Sequence, residues 1–379
     1  MKITVPDYYK DFKCIAGACE DTCCAGWQVD VDDNSYAYYK TIQGAFGERL
    51  RSVMIDGKNG EEGRFRIRED GRCPFLNDNN LCDVYAELGE DALCVTCDQY
   101  PRYTCEFGNY RETGIALSCK TAAELILKDN RRPDFTCSED DESFKGLNNI
   151  DGLLFINMKK AREKAYAIVS DRKFSIWQRL DILLDYTVGL QKLLKKPDRI
   201  KEYVENYCIT WKPINKTINP KDEVKTYHAI WKYYMKQVII KREWPMMVKT
   251  IQENLYLKDY EGGMAAFGVF YKDKEYEYEN LITYFIFRYF LKAVFDGDVL
   301  TKVKMGIVSV LLIRQCDTGK WLENGGSLSF KEQVDICHLY SREVEHSEEN
   351  FACLCRIFKN KKEFKVDKLK QLLSIFLNR

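Results

Sequence analysis

The sequence predicts a mainly α protein: a small cysteine-rich α+β domain that binds a metal over residues 1–145, followed by an all-α helical domain over residues 146–379. Three observations predict it. Eleven of the 16 cysteines lie between Cys14 and Cys137. Beyond about residue 145 the pattern turns into long amphipathic stretches at helical spacing. A chain of 379 residues with 45% hydrophobic residues is long and apolar enough to fill the cores of two such domains.

In chain order, residues 1–57 read as an entering strand or loop, a cysteine loop, and one helix. Asp32-Asp33-Asn34-Ser35 offers the cap, and Tyr36, Tyr39, Ile42, Phe46, Leu50 and Met54 recur at helical spacing. Residues 56–63 (DGKNGEEG) form a turn-rich break. Phe65-Arg66-Ile67 alternates like a strand. Arg72–Leu76 and Leu81–Tyr85 read as further short strands around the loop Asn77–Asn80. Tyr103–Phe107, Gly108-Asn109 and Tyr110–Leu117 spell a hairpin, after which Ser118 caps a helix through Leu127. The helical stretches that follow are 150–170, 172–195, 198–208, 221–258, 276–316, 328–345 and 350–377. The run Gly262–Gly268 (GGMAAFG) looks like a glycine loop but lacks both the G-x-G-x-x-G spacing and a βαβ setting, so it carries no nucleotide-binding prediction.

The charge is balanced, 58 basic against 58 acidic residues, so nothing draws the chain generally to nucleic acid. No apolar run approaches the roughly 18 residues of a membrane span. Met1–Phe12 holds no apolar signal core, so a cytoplasmic, reducing compartment is expected, in which disulfides are rare. The cysteine density then reads as metal binding. The groups are Cys14-x4-Cys19-x3-Cys23-Cys24, then Cys73 and Cys82, then Cys94-x2-Cys97. A C-x2-C pair turns two sulfurs toward one centre within a single tight turn, and thiolates select zinc, copper(I) or iron–sulfur units. Zinc and iron stay open, because both accept four thiolates. The first histidine is His228, which excludes a Cys2His2 site in the N-terminal region. Cys208, Cys316, Cys337, Cys353 and Cys355 read as packing residues, and His338 and His346 beside the last pair carry no site prediction. Walker A, HExxH and GxSxG motifs are absent from the sequence, as is the C-x3-C-x2-C run of ordinary radical S-adenosylmethionine enzymes.

These blocks carry a resemblance. Phe12-Lys13-Cys14-Ile15-Ala16-Gly17-Ala18-Cys19-Glu20-Asp21-Thr22-Cys23-Cys24-Ala25-Gly26-Trp27 resembles the N-terminus of bacterial flagellin lysine-N-methylases. Cys73-Pro74-Phe75-Leu76, Leu81-Cys82 and Leu93–Arg102 (LCVTCDQYPR) are similar to the later blocks of that pattern. A broader cysteine-cluster zinc- or iron-chelating family is similar too. The likeness covers about residues 7–125; the helical remainder agrees in length and character. It implies methyl transfer from S-adenosylmethionine to lysine ε-amines of flagellin, dependent on an oxygen-sensitive 4Fe-4S cluster. By position it implies Cys14, Cys19, Cys23, Cys24, Cys73, Cys82, Cys94 and Cys97 as ligands. One cubane takes at most four thiolates, so a subset binds or there are two centres; Cys19, Cys23, Cys94 and Cys97 are the expected essential set. Catalytic residues are left open: Asp21, Asp98, Tyr100 and Tyr103 are the neighbours able to accept a lysine proton. The competing readings are a non-catalytic module stabilised by zinc and a redox or iron-binding protein without methyltransferase activity.

Overall fold

The computed structural model describes residues 1–57, 62–144, 150–213 and 218–377. The middle of the 56–63 turn and the residue-145 boundary lie outside the described residues. In chain order come β1 (Lys2–Pro6), β2 (Asp30–Val31), α1 (Asp33–Thr41), α2 (Gly44–Val53), β3 (Met54–Ile55), β4 (Gly63–Phe65), α3 (Asp83–Leu88) and α4 (Val95–Gln99). Then follow β5 (Arg102–Glu106), β6 (Tyr110–Ile115), α5 (Lys120–Leu127) and β7 (Phe135–Glu139). The rest is helical: α6 (Gly152–Ser170), α7 (Ile176–Gln191), α8 (Pro197–Asn206), α9 (Pro220–Tyr234), α10 (Glu243–Ile251) and α11 (Tyr260–Tyr271). The series ends with α12 (Tyr276–Tyr289), α13 (Ala293–Asp296), α14 (Val299–Glu323), α15 (Phe330–Val344), α16 (Glu348–Asn360) and α17 (Val366–Ser374). Among the described residues no helix is long and apolar enough to cross a membrane.

The hairpin forms as the sequence predicts. Gly108 takes φ +63°, and Phe107 N–H donates to the Tyr110 carbonyl at 2.7 Å. The ladder pairs Cys105 with Glu112 and Arg102 with Ile115. β6 also runs parallel to β1, which pairs antiparallel with β7, giving the order β5-β6-β1-β7. Glu112 is buried in this sheet, where an unpaired carboxylate would be costly. It accepts from Tyr110 Oη at 2.9 Å and from Arg162 Nη1 of α6 at 2.7 Å, which fastens the sheet to the helices. Tyr8, Phe12, Phe107 and Ile115 accordingly share one core with α5–α17.

Residues 23–97 pack a second core around Val31, Tyr39, Leu50, Phe65, Phe75 and Val84, beside a three-stranded sheet of order β2-β4-β3. Several expected elements differ here. The single helix after Asp32 is two, broken at Ile42–Gly44, where Gly44 takes φ +76°. Arg72–Leu76 is no strand: it makes only isolated bridges, Ala25 with Arg72 and Leu76 with Cys82. Leu81–Tyr85 keeps one antiparallel bridge at Cys82, closed by Asp83 N–H to the Phe75 carbonyl at 2.8 Å, and turns helical from Asp83. The α5 cap is Cys119, one residue later than Ser118.

Ser175 and Ser329 form capping boxes with Gln178 and Glu332, so α7 and α15 start as their sequences encode. The stretch 221–258 splits into α9, α10 and a π turn, Gln252–Tyr256. The stretch 276–316 breaks around Phe290–Asp298, and 350–377 divides into α16 and α17. The GGMAAFG run lies inside α11, not in a loop. α14 is the axis of this region, buried on all sides over Val303–Gly319. Gly306 lets α12 approach closely: an added Cβ would stand 3.0 Å from Ile282 Cδ1 and 3.0 Å from Phe285 Cβ, so both would have to give way.

Candidate metal centre

Three backbone devices bring distant cysteines together. Cys73 N–H donates to the Cys24 carbonyl at 2.8 Å and Gly26 N–H to the Gly71 carbonyl at 2.9 Å, stitching the first cysteine segment to the second. The Asn77–Asn80 turn folds Cys82 back beside Cys73: Asn77 N–H donates to the Leu81 carbonyl at 2.9 Å. Asp32, besides capping α1, accepts from Val95 N–H at 3.0 Å, which docks the short helix bearing Cys97 against β2.

The result is a cavity of about 290 Å3 onto which Cys23, Cys24, Cys73, Cys82 and Cys97 open. Cys94 is fully buried behind it and hydrogen-bonded to Cys97. All 16 cysteines are free thiols. Aromatic rings of Trp27, Tyr39, Phe65, Phe75 and Tyr100 make much of the remaining wall, with Asp30 and Glu348 as its carboxylates and His346 as its one imidazole. Of the eight cysteines singled out in the sequence, Cys14 and Cys19 do not reach this lining. They group with Cys119, whose thiol is raised by burial and further by charge at Cys19 and Cys14. Of the four expected as essential, Cys23, Cys94 and Cys97 therefore belong to the cavity assembly and Cys19 stands apart. Among the described residues, no three His, Cys, Asp or Glu side chains stand close enough together to hold a metal ion.

The thiols ionise unequally. Cys23 donates a hydrogen bond to Cys24, which lowers Cys24 to about 7 against its burial; Thr22 and the charges of Arg342 and Arg72 help. Cys23 keeps its proton correspondingly well. The same division lowers Cys94 and raises Cys97. Burial pushes Cys73 up to about 12 and raises Cys82. A bound cation reverses such shifts, since coordination favours the thiolate.

The cysteine loop is held from the helical region. Asp21 lies 2.7 Å from His338 Nε2, 2.8 Å from Arg342 Nη1 and 2.5 Å from Lys241 Nζ. Burial alone would raise this carboxyl, but the His338 hydrogen bond, the Arg342 charge and the Lys241 hydrogen bond together hold it far below the usual carboxylate range. Arg342 also donates to the Ala25 carbonyl at 2.9 Å and covers the Trp27 ring at 4.2 Å. Neighbouring Glu20 pairs with Lys331 at 2.8 Å and Lys120 at 3.5 Å. On the other side of the cavity Trp27 meets His346, ring centres 3.6 Å apart, and Tyr100 at 5.2 Å. Burial beside Arg342 and Arg288 depresses the His346 imidazole to about 3, so it is neutral. Local sequence holds no signal for Asp21 with His338, or for Trp27 with His346, because each pair is more than 300 residues apart.

The four proton acceptors named from the sequence are placed unequally. Asp21 is consumed by its cations. Tyr100 lines the cavity, but its hydroxyl donates to the Ser118 carbonyl at 2.8 Å and burial raises it. Tyr103 is packed under Arg288 at 4.5 Å, and Asp98 lies on the exposed side of α4, taking a hydrogen bond from Gln99. Cys353 and Cys355 stay away from the site, Cys355 Sγ resting 3.4 Å from Met305 Sδ.

Residues 162–375, more than half of the chain, match the family described as FliB lysine N-methylase C-terminal domain. The chain belongs to the FliB lysine N-methylase family. Lys241, Lys331, His338, Arg342 and His346, which hold or face the cysteine loop, all fall within that match. A relative from Salmonella muenchen, named flagellar biosynthetic protein FliU, is 28% identical over 148 residues, 38% of this chain and 86% of that protein. Lysine-N-methylases of Salmonella typhimurium (strain LT2) and Salmonella choleraesuis (strain SC-B67) are each 24% identical, over 204 and 202 residues. Each match covers 52% of this chain and 50% of the methylase, so the chain spans about half the length of those two relatives. No solved structure matches the chain.

Proposed function

We propose that this chain is a protein lysine N-methyltransferase acting on flagellin, with S-adenosylmethionine as methyl donor and a 4Fe-4S cluster held at the cysteine cavity. The observation that carries this reading is the convergence of Cys23, Cys24, Cys73, Cys82 and Cys97 on one cavity in a member of the FliB lysine N-methylase family. The donor set fits an iron–sulfur unit: the thiols are free, supply at least the four a cubane takes, and border a space of about 290 Å3 rather than a point. Cys24, Cys73, Cys82 and Cys97 would hold it, with Cys94 behind Cys97. Such a cluster, when bound, supplies redox or Lewis-acid chemistry beside the methyl donor.

The chain's own residues supply the remainder. The aromatic wall keeps water from the reacting atoms and attracts a cationic sulfonium. A lysine ammonium meets two exposed carboxylates on the lining, Asp30 and Glu348. An ε-amine of pKa about 10.4 must lose its proton before it can attack a methyl group. Glu348 is open to solvent and able to pass that proton on, whereas buried Tyr100 is already engaged as a donor. The flagellar name of one relative and the lysine-N-methylase names of two others support the substrate class.

The test is anaerobic purification followed by iron and sulfide analysis, then incubation with labelled S-adenosylmethionine and flagellin. The expected result is brown protein with about four iron atoms per chain and label on flagellin lysines. Colourless protein with stoichiometric zinc and no transfer would overturn the proposal.

A further inference from the structure

The glycine run that carries no nucleotide site belongs to a helix of uncommon composition. α11 (Tyr260–Tyr271, YEGGMAAFGVFY) holds one charged residue, Glu261 in its first turn, and the ten residues after it are uncharged. Tyr260, Gly263, Met264, Phe267 and Tyr271 recur at helical spacing and form the buried inner face. That face is closely packed: a Cβ added at Gly263 would stand 3.2 Å from Cδ1 of both Leu255 and Leu322. The outer face, Gly262, Ala265, Ala266, Val269 and Phe270, is exposed, Val269 at 80%. A surface helix ordinarily turns a polar face outward, and a helix apolar all round is ordinarily buried. α11 is apolar on both faces and covered on one. A continuous apolar face of this kind marks a contact surface.

The charges at the two ends of α11 indicate what covers it. Lys258 and Asp259 precede the helix, Lys272 and Asp273 follow it, and all four are exposed. Among the described residues none of the four is in a salt bridge. Lys258 Nζ donates to the neutral Asn254 Oδ1 at 2.9 Å, and Asp259 caps α11 by accepting from Gly262 N–H at 2.9 Å. When two copies of α11 are laid antiparallel about a two-fold axis between Ala265 and Ala266, Gly262 of each copy meets Val269 of the other. The same register sets Lys258 against Asp273 and Asp259 against Lys272, and the symmetry makes every contact twice. Both charge pairs are opposite in sign, and the antiparallel helix dipoles add to them. A parallel pairing would instead set Lys258 against Lys258 and Asp273 against Asp273. Small side chains at the crossing let the two axes approach at the close end of the usual range of about 8–10 Å. The charges nearest the face are three basic (Lys258, Lys272, Lys274) and three acidic (Asp259, Glu261, Asp273), a balance that gives an anionic membrane nothing to attract.

We propose that α11 is the contact helix of a symmetric homodimer of this chain, packed antiparallel on its copy through Gly262, Ala265, Ala266 and Val269. A helix about 18 Å long covers less than the roughly 800 Å2 per partner of a stable complex. The association is therefore reversible and concentration-dependent.

The test is sedimentation velocity on the full chain, purified anaerobically and kept in dithiothreitol so that no intermolecular disulfide contributes, from about 1 μM to about 100 μM. The expected result is a dimer fraction that rises with concentration. Ala266→Glu, at an exposed position, should fold as wild type by circular dichroism and stay monomeric throughout. Asp273→Lys should weaken association by about tenfold or more, because like charges then face each other twice. Lys258→Glu combined with Asp273→Lys should restore it. A wild type that is monomeric at every concentration overturns the proposal, as does a dimer that persists in Ala266→Glu. Failure of the double charge reversal to restore association overturns the antiparallel register. Wild-type monomer that floats with phosphatidylglycerol-containing vesicles, and no longer does so as Ala266→Glu, also overturns it and assigns the face to a membrane.

Discussion

Replacing Asp21 with Asn tests how the cysteine loop is held to the helices. The substitution keeps the side chain's size and removes one negative charge facing Lys241, His338 and Arg342, whose side chains are 17%, 3% and 0% exposed. Deleting one partner of a fully buried ion pair costs about 3–5 kcal/mol, because the other charge stays desolvated. Asp21 is itself 24% exposed and Arg342 keeps the Ala25 carbonyl, so the lower end applies, about 3 kcal/mol at pH 7. The assay is urea unfolding followed by tryptophan fluorescence, since Trp27 lies under Arg342, with circular dichroism as second probe. The pH dependence makes the prediction specific. The folded pKa of Asp21 is depressed, so its contribution is present above the unfolded value of about 3.9 and is lost as pH falls toward the folded one. The gap between wild type and Asp21→Asn should therefore shrink by about 1.4 kcal/mol per pH unit below pH 4. A loss under about 1 kcal/mol at pH 7, or a gap as large at pH 3 as at pH 7, would refute the reasoning.

Three further outcomes are expected. Burial raises Glu277 to about 7, so its contribution is complete below the unfolded value near 4.5 and is lost as pH rises through 7. Glu277→Gln should then be more stable than wild type at pH 8, by up to about 3 kcal/mol, with no gain at pH 4.5; equal thermal midpoints at pH 8 would contradict this. Glu112→Ala leaves the Arg162 guanidinium buried and should lose about 3–5 kcal/mol in denaturant titration, whereas a loss below about 1 kcal/mol would mean that the sheet is not anchored through this pair. Cys82→Ala should lose bound iron while Cys353→Ala keeps it, and equal iron contents by anaerobic metal analysis would argue against the cavity as the binding place.

What could be read in the sequence was local. The Tyr103–Leu117 hairpin is encoded by its own turn and alternation, and the capping boxes at Ser175 and Ser329 mark α7 and α15 with no help from distant residues. The cysteine spacing identified five of the residues on the cavity wall, because a C-x2-C turn or a vicinal pair carries meaning in a few positions. The Leu81–Tyr85 segment keeps a single strand-like bridge at Cys82 and is helical from Asp83, because a short run does not distinguish strand from helix. The 221–258 stretch kept helical periodicity across a π turn that periodicity alone does not reveal. Cys14 and Cys19 sit in the same motif as Cys23, yet neither opens on the cavity. Arg342 and His346 had no signal at all: they act on Trp27 across more than 300 residues, and the family match that covers them begins only at residue 162.

That last separation has a consequence for the growing polypeptide. Every thiol of the cavity leaves the ribosome more than 200 residues before Arg342 and His346, so the N-terminal third emerges while one side of the cavity is still missing. A fragment truncated ahead of α15 would be an open cup, accessible to oxidants and carrier proteins alike, and sealing it falls to the final stretch of translation.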